Sequence, residues 1–581
     1  MKNDFACLFA GEAGYGVMSA GSTVAKAAGR NNLWAFVVNE YPSLIKGGLN
    51  TCLVRLAAAP LKAHEENIDC LAVLSQEGLE QNYARLQPGG LLIVDNSLTV
   101  DSARLAEGVK VYQLPLLQKG SGDVAKIMSN SAMMGAFCAV SGFRIDLIEA
   151  VLVDEFKAEV FEKNRALLRS TYELAAQQTA ETTFSLPFSQ PSVRPMLLNG
   201  NDAIAMGALK AGCKFAAGYP MTPGSSVLTY LADHGPAFGL VFKQAEDEIA
   251  AINMLIGAGF VGVRAIGSTS GGGFSLMVEA LGFAALAEVP LVMVNAQRGG
   301  PSTGQPTRTA QADLAFVLNA SQGEFLRIVV APGDIEECFF ETFEAFNLAE
   351  KYQVPVIILT DKYLADSAVT HPFFETEELT INRGQLVDET WLASHQPYKR
   401  YEFTGDGVSA RALPGTAGGR HIATSYTHNE DGFYSSGNRE YAGSEPEVTV
   451  KAIDKLFDKE PHILAELEAV KLHGPETADI TLVVWGSTKG AALEAMELAK
   501  TAGISVNVLQ VIYLSPFPAA AVTEILGRSK QTLLVEGNKT AQLGRLVRMH
   551  TGIELANRYL KYDSRAFTPS QILLKIKEVL A

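Results

Sequence analysis

The sequence predicts an α/β protein of three α/β domains, and three observations lead there. Short apolar runs alternate with helix-length stretches, glycine-rich turns follow many of those runs, and the composition can fill several cores. The 581 residues are 48% hydrophobic and 19% charged, which leaves little material for extended disorder. Fifty-two glycines suit a chain with many tight strand-to-helix turns. A formal charge of −15 has the wrong sign for binding nucleic acid or an anionic membrane. No apolar run reaches the roughly 18 residues of a spanning helix. The N-terminus lacks the basic region and cleavage site of a signal peptide, so a cytoplasmic protein is expected.

The first domain, residues 1–175, opens with a strand at residues 5–10, the turn glycines Gly11, Gly14 and Gly16, and an apolar helix in SAGSTVAKAAGR. Strand-like runs follow at WAFVV, TCLVRL, DCLAVL, GLLIVD and VKVYQL. Residues 176–195 are rich in Ser, Thr, Gln and Pro without a helical period and read as a linker. Residues 196–370 hold the strand candidates CKFAAG, LVFKQ, GVRAIG, PLVMVN, RIVVAP and PVIILT. Strands without a polar face belong in a parallel sheet covered by helices on both sides. Residues 371–475 are polar, aromatic and turn-rich, an excursion expected to be ordered and to close over something. Residues 476–581 restart with ITLVVWGS, ISVNVLQV and QTLLVEGN as a third α/β domain.

Parallel sheets bind ligands in the loops after their strands, and the middle domain has three such loops with chemistry. AGYPMTPGSS, residues 217–226, presents Thr222, Ser225 and Ser226 at a helix start, where capping alone would also explain them. In FKQAEDEIAAINMLIGAGF, Glu246, Asp247 and Glu248 precede an apolar helix, as acids do near a positive dipole end. Helical spacing separates them: Glu248 shares a stripe with Ile252, Leu255 and Ile256, whereas Asp247 aligns with Ala251 and Met254. A carboxylate aimed into an apolar interior is costly unless something there needs it. A thiamine aminopyrimidine, activated at N1′ by a buried glutamate, is such a group. The third loop, NAQRGGPSTGQPTRTAQAD, places Arg298 beside a Gly-Gly-Pro turn, and a guanidinium binds a carboxylate bidentately. GSTSGGGFSL, residues 267–276, adds a glycine-rich turn with hydroxyls.

Five motifs in order, YPMTPGSS, EDEIAAINMLIGA, GSTSGGGFSLM, QRGGPSTGQPTRTAQADL and GEFLRIVVAPGDIEECF, resemble the pyrimidine-binding domain of 2-oxoacid:ferredoxin oxidoreductases. Residues 1–175 resemble that family's gamma domain, through GEAGYG and Lys46-Gly47-Gly48, and the tail ending in VEGNKTAQLGRLVR resembles the domain that follows. The fused order is similar to that of 2-oxoglutarate-type alpha subunits. The resemblance implies an aminopyrimidine role for Glu248, contact of Thr222 with the substrate's oxo or carboxylate oxygens, and binding of the 2-oxoacid carboxylate by Arg298. It puts Ser270 and Gly271 in the wall of the site and leaves Arg308 as an alternative carboxylate ligand. It further implies an α2β2 assembly in which a beta subunit brings the diphosphate site with Mg2+ and a [4Fe-4S] cluster. Thiamine diphosphate is shared between the subunits, coenzyme A is the cosubstrate and ferredoxin takes the electrons.

The six cysteines (Cys7, Cys52, Cys70, Cys138, Cys213 and Cys338) include no CxxC and read as reduced core thiols, so no iron–sulfur cluster or metal is expected on this chain. GEAGYG has Ala13 where a dinucleotide fingerprint needs its middle glycine. Gly405-Asp406-Gly407 imitates the start of a thiamine diphosphate magnesium motif but follows no buried strand. His428, Glu430 and Asp431 read as a solvated turn. The alternatives are a pyruvate or a branched or aromatic 2-oxoacid as substrate. In a different class stands a non-catalytic nucleotide-binding scaffold, in which Glu248 is only a helix-start acid.

Overall fold

The computed structural model describes residues 4–581 apart from 45–46, 118–122, 183, 190 and 440–441, so Lys46 of the Lys-Gly-Gly motif lies outside the described residues. The strands are β1 (Asp4–Glu12), β2 (Trp34–Glu40), β3 (Leu49–Ala57), β4 (Ile68–Val73), β5 (Leu86–Asp95), β6 (Lys110–Leu114) and β7 (Met196–Leu198). They continue with β8 (Phe215–Gly218), β9 (Val241–Gln244), β10 (Ala265–Thr269), β11 (Leu291–Gln297), β12 (Ile328–Val330), β13 (Pro355–Asp361) and β14 (Ala368–His371). The last six are β15 (Val470–His473), β16 (Ile480–Val484), β17 (Val506–Val511), β18 (Tyr513–Ser515), β19 (Thr532–Glu536) and β20 (Arg558–Leu560). They form three sheets, ordered β6-β5-β4-β1-β3-β2-β14-β7, β18-β12-β13-β11-β10-β8-β9 and β15-β17-β16-β19-β20.

Two compact units result. One comprises Met1–Asn199 with Asp366–Phe374 and Thr568–Gln571, and the other Gly200–Ala365, Glu375–Phe567 and Ile572–Ala581. In the first unit β1, β4, β5 and β6 run parallel, and the sheet turns antiparallel from β1 through β3 and β2 to β14 and β7. The expected limits at 196 and 370 thus fall inside this sheet. Short β14 is held against β2, with the Thr370 hydroxyl accepting from the Ala35 N–H at 3.0 Å. Within the expected linker, Phe184 and Phe188 stack on each other and pack edge-on against Phe143. Their burial ties a segment without regular structure to the core.

In the second unit the strands from β12 to β9 are parallel and joined by helices, as strands apolar on both faces require. The third sheet shares one hydrophobic core with the second, Val483, Trp485 and Leu509 lying in the same cluster as Leu255, Phe274 and Met293. Its β18 adds antiparallel to β12. The excursion 371–475 contains the helices Glu389–Ser394, Pro446–Phe457 and Glu460–Glu466 and ends in β15, an edge strand of the third sheet. It is pinned to the N-terminal edge of the middle sheet by buried charge. Lys455 and Lys459 pair with Glu288, which precedes β11, and Arg411 pairs with Glu350, which precedes β13. Among the described residues no helix is long and apolar enough to cross a membrane.

Candidate active site

The site lies at the C-terminal ends of β8, β10 and β11, where three loops converge. After β8 the turn Tyr219–Gly224 packs directly on β10. A Cβ at Gly224 would come 2.5 Å from the Thr269 carbonyl oxygen, and Ser268 Oγ donates to the Gly224 carbonyl at 2.8 Å. Asn201 Nδ2 donates to the Pro223 carbonyl (2.8 Å) and to Ser226 Oγ (2.6 Å), so Ser226 secures the turn and no side chain caps the helix Ser225–His234. Thr222 is half-buried at the apex.

After β9, Asp247 caps the helix Glu248–Phe260, its Oδ1 accepting from the Ala250 N–H at 2.8 Å. Glu248 is the first residue of that helix, an acid at its start as the scaffold alternative has it, but it does not form the cap. It faces inward with Ile252, Leu255 and Ile256, only 3% exposed, while Glu246 points to solvent. Ala251, expected on the other stripe, is also buried, because the apolar face of this helix is wider than one stripe. Glu248 Oε1 is buried and has no hydrogen-bond partner among the described residues.

That oxygen lies against the start of the next helix, Gly271–Leu286. A Cβ at Gly273 would sit 2.5 Å from Glu248 Oε1 and 2.1 Å from Thr269 Oγ1, so only glycine permits the approach. A Cβ at Gly271 would sit 2.5 Å from Asp313 Oδ2. The glycine-rich start thus admits a carboxylate at each of two positions. Ser270 is wholly buried, caps nothing, and its Oγ is unpartnered. An unsatisfied buried polar atom costs about 1–3 kcal/mol, so each of these is a candidate to meet a ligand.

After β11, Arg298 Nη1 donates to the Thr222 carbonyl at 2.7 Å, which joins two of the residues singled out from the sequence. The contact uses the Thr222 main chain, not its hydroxyl. Arg308 stands at the base of the following hairpin, its carbonyl accepting from the Gly299 N–H at 3.1 Å. The chain returns through Gln311, whose side chain donates to the Trp485 carbonyl (2.8 Å) and accepts from the Gly537 N–H (2.8 Å). Asp313 comes next, its N–H donated to Gln297 Oε1 (2.9 Å) and its Oδ2 weakly approached by Asn295 Nδ2 (3.4 Å). Burial pushes the Asp313 carboxyl up, opposed by Asn295 and by the Arg298 charge, and burial lowers Arg298, opposed by Asp313.

Asn295, Gln297, Gln311 and Asp313 were not singled out from the sequence. A signal was present: Asn295 and Gln297 alternate at the end of an otherwise apolar, fully buried strand, LVMVNAQ. Of the decoys, Asp406 only closes its own turn, receiving the Val408 N–H. Asp431 is exposed, but His428 is not solvated as expected. It is buried against Tyr401, ring centroids 3.9 Å apart, with Nε2 near the Leu286 carbonyl.

Residues 206–445 match the family described as pyruvate flavodoxin/ferredoxin oxidoreductase, thiamine diphosphate-binding. Residues 6–174 match pyruvate ferredoxin/flavodoxin oxidoreductase, and 478–572 match pyruvate:ferredoxin oxidoreductase core domain II. A 2-oxoacid:ferredoxin oxidoreductase subunit alpha from Saccharolobus solfataricus is 37% identical over 499 residues, covering 82% of this chain and 76% of that one. The chain belongs to the 2-oxoacid:ferredoxin oxidoreductase family. Another alpha subunit of the family, from a Sulfolobus species, is 32% identical and aligns over 97% of this chain and 95% of its own length. Among solved structures, a 2-oxoglutarate:ferredoxin oxidoreductase from Magnetococcus marinus, with 2-oxoglutarate, coenzyme A and succinyl-CoA bound, superposes with a TM-score of 0.92. It is 32% identical, and the match covers 100% of both chains. As an alpha subunit of this thiamine diphosphate-dependent oxidoreductase family, the chain has its candidate site in the thiamine diphosphate-binding region.

Proposed function

We propose that this alpha subunit, with a beta subunit, converts 2-oxoglutarate and coenzyme A to succinyl-CoA, CO2, a proton and two electrons that pass to ferredoxin, or runs the reverse carboxylation. The reading rests on Glu248, a buried carboxylate with one oxygen unpartnered beside the glycine start of the helix Gly271–Leu286. An aminopyrimidine fits this donor set, because its N1′ needs one acceptor in a dry site and the absent side chains at Gly271 and Gly273 leave room for close approach. Thiamine diphosphate, when bound, supplies the carbanion chemistry that releases CO2 from a 2-oxoacid. Glu248 shares a proton with N1′ and so sets the tautomer. Arg298, fixed by the Thr222 carbonyl, turns its remaining N–H donors to the substrate carboxylate, and the Thr222 hydroxyl serves the adjacent oxygens. Ser270 and Gly271 wall the site.

The choice of 2-oxoglutarate is supported by the Magnetococcus marinus relative, which binds it. A beta subunit that supplies the Mg2+-diphosphate half and the [4Fe-4S] cluster, in an α2β2 assembly, is supported by the rim of the site. Tyr219, in the turn after β8, and Ile249, next to Glu248 in the chain, expose apolar surface. All six cysteines are buried free thiols, in keeping with a cluster on the partner and with a reducing cytoplasm.

The test is viologen reduction by the purified complex with coenzyme A and a panel of 2-oxoacids. Glu248→Gln is expected to lower turnover by at least about 100-fold, and near-wild-type turnover overturns its role. Arg298→Ala is expected to lower kcat/KM for every 2-oxoacid. If Arg308→Ala does so instead, the carboxylate belongs to Arg308. Reduction with pyruvate but not 2-oxoglutarate overturns the choice of substrate.

A further inference from the structure

We propose that Gln311 is a positioning residue for the 2-oxoacid: it pins the loop that carries Arg298 into a socket of the third sheet, so that the reach of Arg298 to a substrate carboxylate depends on that sheet. The inference rests on Arg298 being the carboxylate ligand. Arg298 stands between two residues tied to the returning part of its own loop. Gly299 donates its N–H to the Arg308 carbonyl at 3.1 Å, and Gln297 Oε1 accepts the Asp313 N–H at 2.9 Å. These two bonds bracket the segment 308–313, and Gln311 lies inside the bracket, 2% exposed. Every polar group of Gln311 is spent on the third sheet. Its main-chain N–H donates to the Gly537 carbonyl and its carbonyl accepts from Asn538 Nδ2, both at 2.8 Å. Its side-chain amide donates to the Trp485 carbonyl and accepts from the Gly537 N–H, again both at 2.8 Å. Trp485 and Gly537 directly follow β16 and β19, which are neighbours in that sheet.

The socket is shaped for an amide. A Cβ on Gly486 would stand 3.1 Å from Gln311 Nε2, and a Cβ on Gly537 3.1 Å from its Oε1, so glycine at both positions lets the side chain in between the two strand ends. A carbonyl from one strand end and an N–H from the other call for an uncharged donor and acceptor on one side chain, which a primary amide supplies. Gln542 adds a hold from the same side, its Nε2 donating to the Ala312 carbonyl at 2.8 Å, and the middle sheet adds one through Thr309 Oγ1, which donates to Asp361 Oδ1 at 3.0 Å. The far end of Arg298 rests on the Thr222 carbonyl at 2.7 Å, and its near end is a backbone bracketed by bonds that lead to Gln311. The guanidinium is thereby aimed before substrate arrives, and loosening its backbone weakens carboxylate docking. Glu248 belongs to a different element, the helix Glu248–Phe260, so the proposed proton chemistry at the cofactor does not depend on this anchorage.

The experiment compares wild type, Gln311→Met, Arg298→Ala and the double variant as α/β complexes, with viologen reduction at saturating coenzyme A. Gln311→Met keeps the length of the side chain, removes both amide bonds and leaves the main-chain pair in place. It is expected to lower kcat/KM for the 2-oxoacid by about tenfold through KM, with kcat and the KM for coenzyme A within about twofold of wild type. A merely structural Gln311 would lower kcat and leave the 2-oxoacid KM alone, and that result overturns the proposal. The double variant is the sharper measurement. If Gln311 acts through Arg298, adding Q311M to R298A costs less than about twofold more in kcat/KM, whereas the full single-variant factor repeated on top of R298A overturns the proposal. Should Q311M fail to assemble, Asn538→Ala removes the bond to the Gln311 carbonyl from the other side and is expected to raise the 2-oxoacid KM by about threefold at unchanged kcat, an unchanged KM again overturning the proposal. Arg298→Ala alone separates the two readings. If R298A leaves kcat/KM unchanged, the carboxylate assignment itself has failed. If R298A lowers it while Q311M changes nothing, only the Gln311 proposal has failed.

Discussion

The two ends of the middle parallel sheet treat buried carboxylates in opposite ways. At the N-terminal edge, Glu350 receives Arg264 Nε at 2.8 Å and Arg411 Nη2 at 3.0 Å, with Arg383 Nε 2.7 Å away, and Glu288 is closed between Lys455 and Lys459. The lysines and nearby Arg400 hold Glu288 far below the usual carboxylate range even though burial opposes them. At the C-terminal edge, among the described residues, Glu248 has an oxygen with no partner, and Ser270, Asn295 and Thr360 each keep a buried oxygen unpartnered. The cost of burying charge is the same at both edges. Where the chain supplies the counter-charge, the carboxylate locks the 371–475 excursion onto the sheet. Where the chain supplies no such partner, Glu248 Oε1 is left open, and the proposed role of Glu248 rests on that opening.

That contrast can be broken most sharply at Glu350. Glu350→Ala leaves Arg264 and Arg411 buried without their counter-charge and should destabilise the second unit by about 3–5 kcal/mol in denaturant unfolding. An unchanged midpoint would mean that the N-terminal edge does not rely on its ion pairs.

Glu536 sharpens the contrast because it falls between the two cases. One oxygen receives Trp485 Nε1 (3.1 Å) and the Leu543 N–H (2.8 Å), the other is unpartnered, and burial pushes its pKa up to about 7. The folded state therefore binds a proton that the unfolded chain has released. Stability from this group is full below the ordinary value of 4.5 and is lost as pH rises through about 7. Glu536→Gln should match wild type near pH 4.5 and exceed it at pH 8, by on the order of 2 kcal/mol. Equal pH dependence in the two proteins would show that Glu536 is ionised without penalty.

The smallest stability effect is expected at Glu248. Glu248→Gln replaces a buried carboxyl whose Oε1 has no hydrogen-bond partner among the described residues, so unfolding should shift by no more than about 1 kcal/mol while turnover is lost. A loss like that of Glu350→Ala would make Glu248 a structural residue and erase the difference between the two edges.

Much of the site was legible because local period encodes local burial. The stripe of Glu248, Ile252, Leu255 and Ile256 separates the inward acid from Asp247, and the structure gives Asp247 the cap. Arg298 is recognisable as the first residue after an apolar strand. Asp313 was not legible, although it stands in the same motif, because its meaning depends on a loop folding back to bring it against Gly271, 42 residues earlier in the chain.

The sequence by itself determined the α/β class, the parallel middle sheet and the direction of the Glu248 side chain. Each follows from repeating patterns a few residues long, read against a buried or exposed face. Only the tertiary structure decided that β7 and β14 join the first sheet, that β18 joins the second, and that the excursion is clamped by Glu288 and Glu350. Edge pairing of three- or four-residue strands and capture of a lone carboxylate by distant arginines and lysines have no local period. They are set by which surfaces remain unpaired once the cores have packed.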